Sequence, residues 1–147
     1  MNKVIVTVEG SQRDAEGEEN KIKMVADGQH YCRNRKDYIL YEDNELSVDS
    51  KTSTLLKIGK DSLTLLRHGA VEQEQYFSAG KDDESIYRTP YGTLNVSIKT
   101  KKIDINYESP FGTIDIEYAL SINGKWQSDN GLHISVCEAQ TETNKLD

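Results

Sequence analysis

Both cysteines and two of the three histidines form spaced pairs, His30 with Cys32 and His133 with Cys137, and these residue types could bind zinc. On a β-strand the members of each pair point to the same face, because side chains alternate. Zinc–ligand distances are roughly 2.0–2.3 Å. Four residues of straight strand span about 13 Å at roughly 3.3 Å per residue, which is more than the side chains of His133 and Cys137 can bridge together. We therefore expect no metal site.

Sequence motifs that would support catalysis are absent. Gly59-Lys60 is followed by Asp61 rather than by Ser or Thr, which excludes a phosphate-binding loop. The G-x-S-x-G motif of serine hydrolases does not occur. The acidic run Asp82-Asp83-Glu84 follows a glycine in a predicted turn, where exposed carboxylates are expected. No spacing brings a nucleophile, a base and an orienting acid together, so we expect a protein that is not an enzyme and that needs no cofactor.

Arg67 is the charged residue with the strongest case for a binding role. It alternates with Leu63 and Leu65, so a strand through these residues places its guanidinium on the apolar face. A buried guanidinium must be paired and hydrogen-bonded. Either Arg67 closes one end of the structure against a carboxylate or an aromatic ring, or it anchors an anionic head group. Tyr87 and Tyr107 are candidate neighbours in the wall of such a pocket, because tyrosine combines apolar area with one polar tip.

Apolar and polar residues alternate with a period of two along most of the chain, which predicts β-strands. In the longest run, Ile114 to Ile122, every second residue is apolar and the residues between are nearly all polar, so one face is buried and the other is wet. Asn123-Gly124 is typical of a type I′ hairpin and Gly59-Lys60 of a type II′ hairpin. Further breaks are expected at four glycine-containing segments: a mobile acidic loop at 10–20, Asp27-Gly28, Gly80-Lys81-Asp82-Asp83, and Asp129-Asn130-Gly131.

These runs predict about ten strands, and their connections are too short for crossover helices, so neighbouring strands should be antiparallel. Because each strand has one apolar face to bury, the strands must form a two-sheet sandwich or a closed barrel. Long alternating strands favour the closed barrel. We predict an all-β fold, a single up-and-down antiparallel barrel of about 8–10 strands over residues 1–138, followed by a flexible polar tail at 139–147. Pro90-Tyr91-Gly92 and Pro110-Phe111-Gly112 are expected to form two equivalent corners on one rim; the alternative is two ordinary turns at the start of strands.

The composition limits the partners of the protein. A chain of 147 residues fits one domain. Its net charge of −7 argues against nucleic-acid binding, which needs a basic surface, and against attraction to anionic membranes. The sequence contains neither a signal peptide nor an apolar run of about 18 residues, so we expect a cytosolic protein with reduced cysteines.

Several short blocks of sequence resemble those of a known family. They are Tyr38-Ile39-Leu40-Tyr41-Glu42, the segments 65–71, 75–80 and 87–92, and Gly112-Thr113-Ile114-Asp115-Ile116-Glu117-Tyr118. In this order they resemble the YwiB-like family of uncharacterised bacterial proteins, which have a calycin-like β-barrel. The resemblance implies a lipocalin-shaped barrel in a bacterial cytosol and carries over no catalytic or binding residues. Because calycin barrels often close with an arginine against an aromatic ring, it favours the end-closing role for Arg67.

We therefore expect a non-enzymatic barrel that binds a small, partly apolar ligand in its interior, with an anionic ligand as one option. Arg67, Tyr87 and Tyr107 are the expected wall residues. A barrel of this size is either filled by side chains or holds one small ligand. The alternative is a filled barrel that acts as a protein–protein interaction module or homodimer, through its outer face or through the Pro-Tyr-Gly and Pro-Phe-Gly corners.

Overall fold

The computed structural model describes residues 2–43, 52–69, 71–108 and 110–139, which form ten β-strands. None of these residues lies in a helix, so the described part of the chain has no helix that could cross a bilayer. All but Ala139 of the expected tail lies outside the described residues. The strands are β1 (Asn2–Asp14), β2 (Glu19–Arg33), β3 (Lys36–Asp43), β4 (Thr52–Ile58), β5 (Ser62–Gly69), β6 (Gln73–Ser78), β7 (Asp82–Thr89), β8 (Gly92–Glu108), β9 (Phe111–Ile122) and β10 (Lys125–Glu138).

The ten strands form one antiparallel sheet in the order β6-β5-β4-β3-β2-β1-β10-β9-β8-β7. Strands β1 and β10 pair from Val4 opposite Glu138 to Asp14 opposite Ser128, which joins the two halves of the chain. The predicted all-β, up-and-down barrel is therefore confirmed, and it is nearly closed. Odd-numbered strands start at one end of the barrel, which we call end A, and finish at the other, end B. Even-numbered strands run the opposite way.

The break in strand pairing, which we call the seam, lies between β6 and β7. At end B of the seam the backbone groups of Glu72 and Arg88 exchange two hydrogen bonds of 2.9 Å. Between the two strands, the backbone N–H of Tyr76 donates to the carboxylate of Asp83 at 3.1 Å rather than to a carbonyl. A charged side chain on an edge strand also disfavours pairing with a second molecule. The seam is thus bridged, but not by a continuous ladder.

Side chains on the inner face fill the barrel between the two ends. A bulge between Thr100 and Lys102 shifts the register of β8 against β9. The bulge changes which residues of β8 point inward: even-numbered residues do so before it, and odd-numbered residues such as Tyr107 do so after it. The fully buried apolar side chains are Val4, Val6, Ile39, Leu56, Leu63, Phe77, Ile98, Ile114, Ile116 and Ile134.

Two turns were predicted by type, and one prediction is confirmed. Asn123 and Gly124 have φ angles of 50° and 83°, as a type I′ turn requires. The prediction of a type II′ turn at Gly59-Lys60 is wrong. Gly59 does not have the positive φ that this turn type needs, and the connection from β4 to β5 has three residues instead of two. A second two-residue turn, at Asn34 and Arg35 with φ angles of 52° and 63°, connects β2 to β3.

Of the four predicted glycine-containing breaks, the one at Gly80-Lys81 is confirmed, since it lies between β6 and β7, whereas strands run through two others and the fourth is shorter than predicted. Strand β2 continues through Asp27-Gly28, β10 continues through residues 129–131, and the loop expected at 10–20 shortens to the residues between Asp14 and Glu19. At Gly28 the glycine serves close packing rather than a turn. A Cβ there would lie 3.1 Å from Val6 Cγ2 and 3.2 Å from the carbonyl oxygen of Leu40.

The two proline-aromatic-glycine segments lie at opposite ends of the barrel, so the prediction of two corners on one rim is wrong. The first connects β7 to β8 at end B, and the second connects β8 to β9 at end A. A single strand of 17 residues, β8, occupies the sequence between them. Since consecutive turns of an up-and-down barrel alternate between its ends, a partner could not contact both corners on one rim.

The two glycines of these segments give a matched pair for a stability test. Gly92 and Gly112 have φ angles of 143° and 152°, a region essentially restricted to glycine. A Cβ at Gly112 would lie 2.3 Å from the Asn106 carbonyl oxygen, whereas one at Gly92 meets no atom within 4 Å. We expect Gly92→Ala to cost about 1–3 kcal/mol from backbone strain alone. Gly112→Ala should cost more, as measured by urea unfolding; equal losses would contradict the contact at Gly112.

Candidate functional site

The structure brings two of the three predicted wall residues to the same end of the barrel. Arg67 lies near the end of β5 and Tyr87 near the end of β7, so both are at end B. Arg67 pairs with Gln73 on β6, and the Glu72–Arg88 backbone bridge places Gln73 next to Tyr87. Tyr107 lies near the end of β8 and therefore at end A. The three residues do not form one site.

Arg67 faces the interior, as its alternation with leucines predicts. Leu63 and Leu65 are buried on the same face of β5, and the cross-strand neighbour of Arg67 on β4, Thr54, is fully buried. The Nε atom of Arg67 is buried and has no hydrogen-bond acceptor among the described residues. None of the ion pairs in this part of the chain includes Arg67. The carboxylate expected to hold the guanidinium is thus not found there.

Tyr118 on β9 lies beside Arg67 inside the barrel. Burial raises the pKa of Tyr118 above its ordinary value of 10.0, while a hydrogen bond with Asn130 and the positive charge of Arg67 act in the opposite direction. The Tyr118 ring also contacts the edge of the Phe77 ring, with the two centroids 5.0 Å apart. Asn130 is thus the cross-strand neighbour of Tyr118, and the charge of Arg67 acts on the Tyr118 hydroxyl inside the barrel.

Buried polar atoms without hydrogen-bond partners gather around Arg67 and Tyr118. Thr100 on β8 and Asn130 on β10 are the two cross-strand neighbours of Tyr118. The Oγ1 atoms of Thr54 and Thr100, the Oδ1 atom of Asn130 and the Nε atom of Arg67 are all buried and unpartnered within the described residues. A buried polar group left without a partner costs about 1–3 kcal/mol. We call these five residues (Thr54, Arg67, Thr100, Tyr118 and Asn130) the Arg67–Tyr118 cluster.

Tyr107 belongs to a second polar group at end A. There the Nε2 atom of the buried His30 lies 2.7 Å from Oδ1 of Asp37, and the rings of His30 and Tyr107 are 6.4 Å apart. Burial raises the pKa of Tyr107 well above its ordinary value, and the negative charges of Asp37 and Cys32 add to this effect. The Tyr107 hydroxyl is buried without a partner among the described residues.

The residues considered for zinc binding are dispersed. His30 lies inside the barrel, whereas His133 pairs with Asp115 across β10 and β9 on the outer face. Cys32 and Cys137 are free and exposed. Within the described ranges, no group of three or more His, Cys, Asp or Glu side chains is arranged to hold a metal ion.

A cleft of about 680 Å³ crosses the outer face of β2, β1, β10, β9 and β8. Most of its charged side chains lie in pairs: Lys23 with Glu9 at 3.8 Å, Lys102 with Asp104 at 3.7 Å, and His133 with Asp115. Exposed ion pairs of this kind contribute little energy, and Glu117 leaves the lining with an excess of carboxylates, which does not favour an anion. The interior cluster is therefore the better candidate site.

The sequence indicated only part of this cluster. Tyr118 lies in the longest alternating run, where its position among Ile114 and Ile116 marks it as inward-facing. Asn130 was assigned to a turn because Asp, Asn and Gly adjoin one another at 129–131. The strand register that joins these two residues across β9 and β10 has no sequence signal.

Comparisons with known proteins give the same fold. A family profile with the description Domain of unknown function (DUF1934) matches residues 6–134. The uncharacterized beta-barrel protein YwiB of Bacillus subtilis (strain 168) is 25% identical over 121 residues, which cover 82% of this chain and 83% of that protein. The crystal structure of ywiB protein from Bacillus subtilis matches with a TM-score of 0.78 and 21% identity, over 95% of this chain and 93% of that one. The resemblance to the YwiB-like family is confirmed.

The hydroxyl of Tyr107 gives a prediction about stability and pH. Tyr107→Phe removes a buried donor that has no partner, so the free energy of unfolding at pH 7 should stay constant or rise by up to about 1 kcal/mol. Because the folded-state pKa of Tyr107 is raised, its hydroxyl contributes full stability below the unfolded pKa of about 10 and progressively less as the pH rises above it.

Urea unfolding at pH values between about 7 and 11 measures this effect. Tyr107→Phe should lose less stability than the wild type above the unfolded pKa. Tyr91→Phe is the matched control, because Tyr91 is 98% exposed and should leave the pH profile unchanged. A steeper loss of stability in Tyr107→Phe would contradict the prediction.

Proposed function

The chain belongs to the family described as Domain of unknown function (DUF1934), and from that premise we propose that it is a non-enzymatic β-barrel protein that binds a small, partly apolar anion. The proposed site is the Arg67–Tyr118 cluster inside the barrel. The observation that carries the proposal is the buried Nε donor of Arg67, which has no acceptor among the described residues. Cytosolic localisation remains a prediction.

The charge of Arg67 supports an anionic ligand. A guanidinium stays protonated at any physiological pH and carries its positive charge into the interior. A buried charge is stable only when it is paired and hydrogen-bonded. A ligand carboxylate would supply the missing acceptor to Nε, and the hydroxyls of Thr54 and Thr100 could donate to the same anion.

The surrounding side chains limit the size and polarity of this ligand. Leu65 and Phe77 are buried next to the cluster, and the half-buried Tyr87 packs against the same core at end B. These side chains would contact an apolar group attached to the anion. Because these side chains are part of the buried core, a ligand beside them must be small.

The net charge of −7 affects how an anion reaches the site. The overall field of the protein repels anions at long range, so affinity must come from the local contacts with Arg67. Moderate salt screens the long-range repulsion more than it weakens a partly buried contact. Binding should therefore be only weakly sensitive to salt.

Titration with sodium hexanoate, followed by ¹H–¹⁵N NMR, tests the proposal. We expect saturable shifts at the Arg67–Tyr118 cluster and a loss of affinity of roughly tenfold or more in Arg67→Gln, because a charged hydrogen bond is removed. The matched control is Arg33→Gln, since Arg33 is exposed at end A. The proposal is wrong if hexanoate does not bind the wild type, or if Arg67→Gln binds it equally well.

A row of leucines on the outer face favours a second candidate function, a homodimer. Leu40 pairs with Leu55 and Leu55 with Leu66 across β3, β4 and β5, and Leu40 is 40% exposed. Contiguous apolar residues on a sheet surface commonly mark contact sites.

Light scattering after size-exclusion chromatography tests the homodimer. At high protein concentration the wild type should have the mass of a dimer and Leu40→Lys that of a monomer, because a charge in the leucine row opposes association. Ile86→Lys, at an exposed position on the outer face of β7 and outside the row, should behave as the wild type does. A wild type that stays monomeric excludes this candidate.

A further inference from the structure

The seam leaves backbone hydrogen-bonding groups of both edge strands without ladder partners. Strands β6 and β7 stand at the two ends of the strand order, so each pairs with a neighbouring strand on one side only. The bridge between Glu72 and Arg88 shows which residues turn their backbone groups toward the seam, because these groups alternate along a strand. Glu74 follows Glu72 at this spacing, and Ile86 and Glu84 precede Arg88. Within the described ranges, no backbone–backbone hydrogen bond joins β6 itself to β7.

A groove of about 560 Å³ lies along the seam. Residues of both edge strands line it, including Gln73 and Tyr76 of β6 and Ser85 and Ile86 of β7. The Oγ atom of Ser85 is buried and has no hydrogen-bond partner among the described residues. Ile86 is 48% exposed, which is unusual for a large apolar side chain. An unpaired sheet edge beside a groove is the arrangement that strand addition uses, in which an extended peptide supplies the missing ladder.

The charge of the groove disfavours a second copy of the protein and favours a cationic partner. Its lining contains four carboxylates and one guanidinium, those of Glu72, Glu74, Asp83, Glu84 and Arg88. Among these carboxylates only that of Glu72 has an ion-pair partner in the described part of the chain, His68 at 3.2 Å. A second copy carries a net charge of −7 and is repelled, whereas a strand with basic side chains is attracted.

The outward side chains along the seam define the pattern of the partner. In the register of the backbone bridge, Glu74 lies opposite Ile86. Tyr76 lies opposite Glu84 in the same register, and all four side chains are exposed. Each row thus has one carboxylate and one apolar or aromatic side chain. Lysine and arginine complement both, because the aliphatic stem packs on apolar surface while the charged head reaches the carboxylate. On the inward side, the Ser85 hydroxyl favours a small side chain with a hydroxyl of its own.

We propose that the seam binds an extended cationic peptide by strand addition, with basic residues at alternate positions and small hydroxyl residues between them. The peptide lies between β6 and β7, which separate further by one strand spacing of about 4.8 Å. This separation breaks the two hydrogen bonds of the backbone bridge and the one between Tyr76 and Asp83. The peptide backbone replaces them and also pairs with Glu74, Glu84 and Ile86, so the number of hydrogen bonds increases.

Titration with a seven-residue peptide of alternating lysine and threonine, blocked at both ends and followed by ¹H–¹⁵N NMR, tests the proposal. We expect saturable shifts at β6 and β7. At saturation, hydrogen exchange at the amides of Glu74, Glu84 and Ile86 should slow by roughly tenfold or more, because these N–H groups gain acceptors. The same peptide N-methylated at its threonines keeps its charge but loses backbone donors, and it should bind at least roughly tenfold more weakly.

Two substitutions test the contribution of charge. Glu74→Gln and Glu84→Gln each remove one carboxylate and leave the strand edges intact, so each should weaken peptide binding by roughly threefold, as the loss of an exposed ion pair would. The matched control is Glu16→Gln, because Glu16 is exposed in the turn between β1 and β2, on the opposite side of the barrel, and should retain the full affinity. A peptide with glutamate in place of lysine should not bind.

Four results would overturn the proposal. The first is that the lysine–threonine peptide does not bind the wild type. The second is that its N-methylated form binds equally well, since charge alone would then account for binding. The third is equal binding of the glutamate peptide, or an unchanged affinity in both Glu74→Gln and Glu84→Gln. The fourth is protection of the seam amides that increases with protein concentration in the absence of peptide, which would identify a second copy of this chain as the occupant.

Discussion

The pairing of β1 with β10 is the constraint on which the rest of the structure depends. It joins the first and last strands of the described chain along nearly their full length, from Val4 opposite Glu138 to Asp14 opposite Ser128. Without it the sheet would have two free edges far apart, and its apolar face would need a second layer to cover it. With it, that face closes on itself, and the break in pairing moves to the short strands β6 and β7.

Closure also explains why polar residues end up inside. In a barrel every inward position of each strand faces the same enclosed space, so residues from distant strands meet there regardless of their separation in sequence. Arg67 of β5 and Tyr118 of β9 face this space together, and the charge of Arg67 acts on the Tyr118 hydroxyl. The apolar belt between the two ends excludes water, which makes each unpartnered donor or acceptor costly. A cluster retained under that cost is a reason to look for a ligand.

The sequence predicts the secondary structure and the fold class well, because both follow from local alternation. The inward face of Arg67 could be predicted from Leu63 and Leu65 alone. The errors occur where a local signal has two physical meanings. Glycine at position 28 permits a turn, but it also permits the close approach of β1 and β3, and only the neighbouring strands decide between these roles. The grouping of Tyr118 with Arg67 depends on register across the barrel, which no single segment encodes.

The seam is the part of the barrel wall with the weakest strand pairing. There the carboxylate of Asp83, rather than a backbone carbonyl, accepts the hydrogen bond of the Tyr76 backbone N–H. Rotation about the two side-chain torsions of Asp83 breaks this hydrogen bond without any displacement of the backbone. Local opening occurs first where such restraints are weakest. The seam between β6 and β7 is thus expected to open before the other strand pairs do, including β1 with β10.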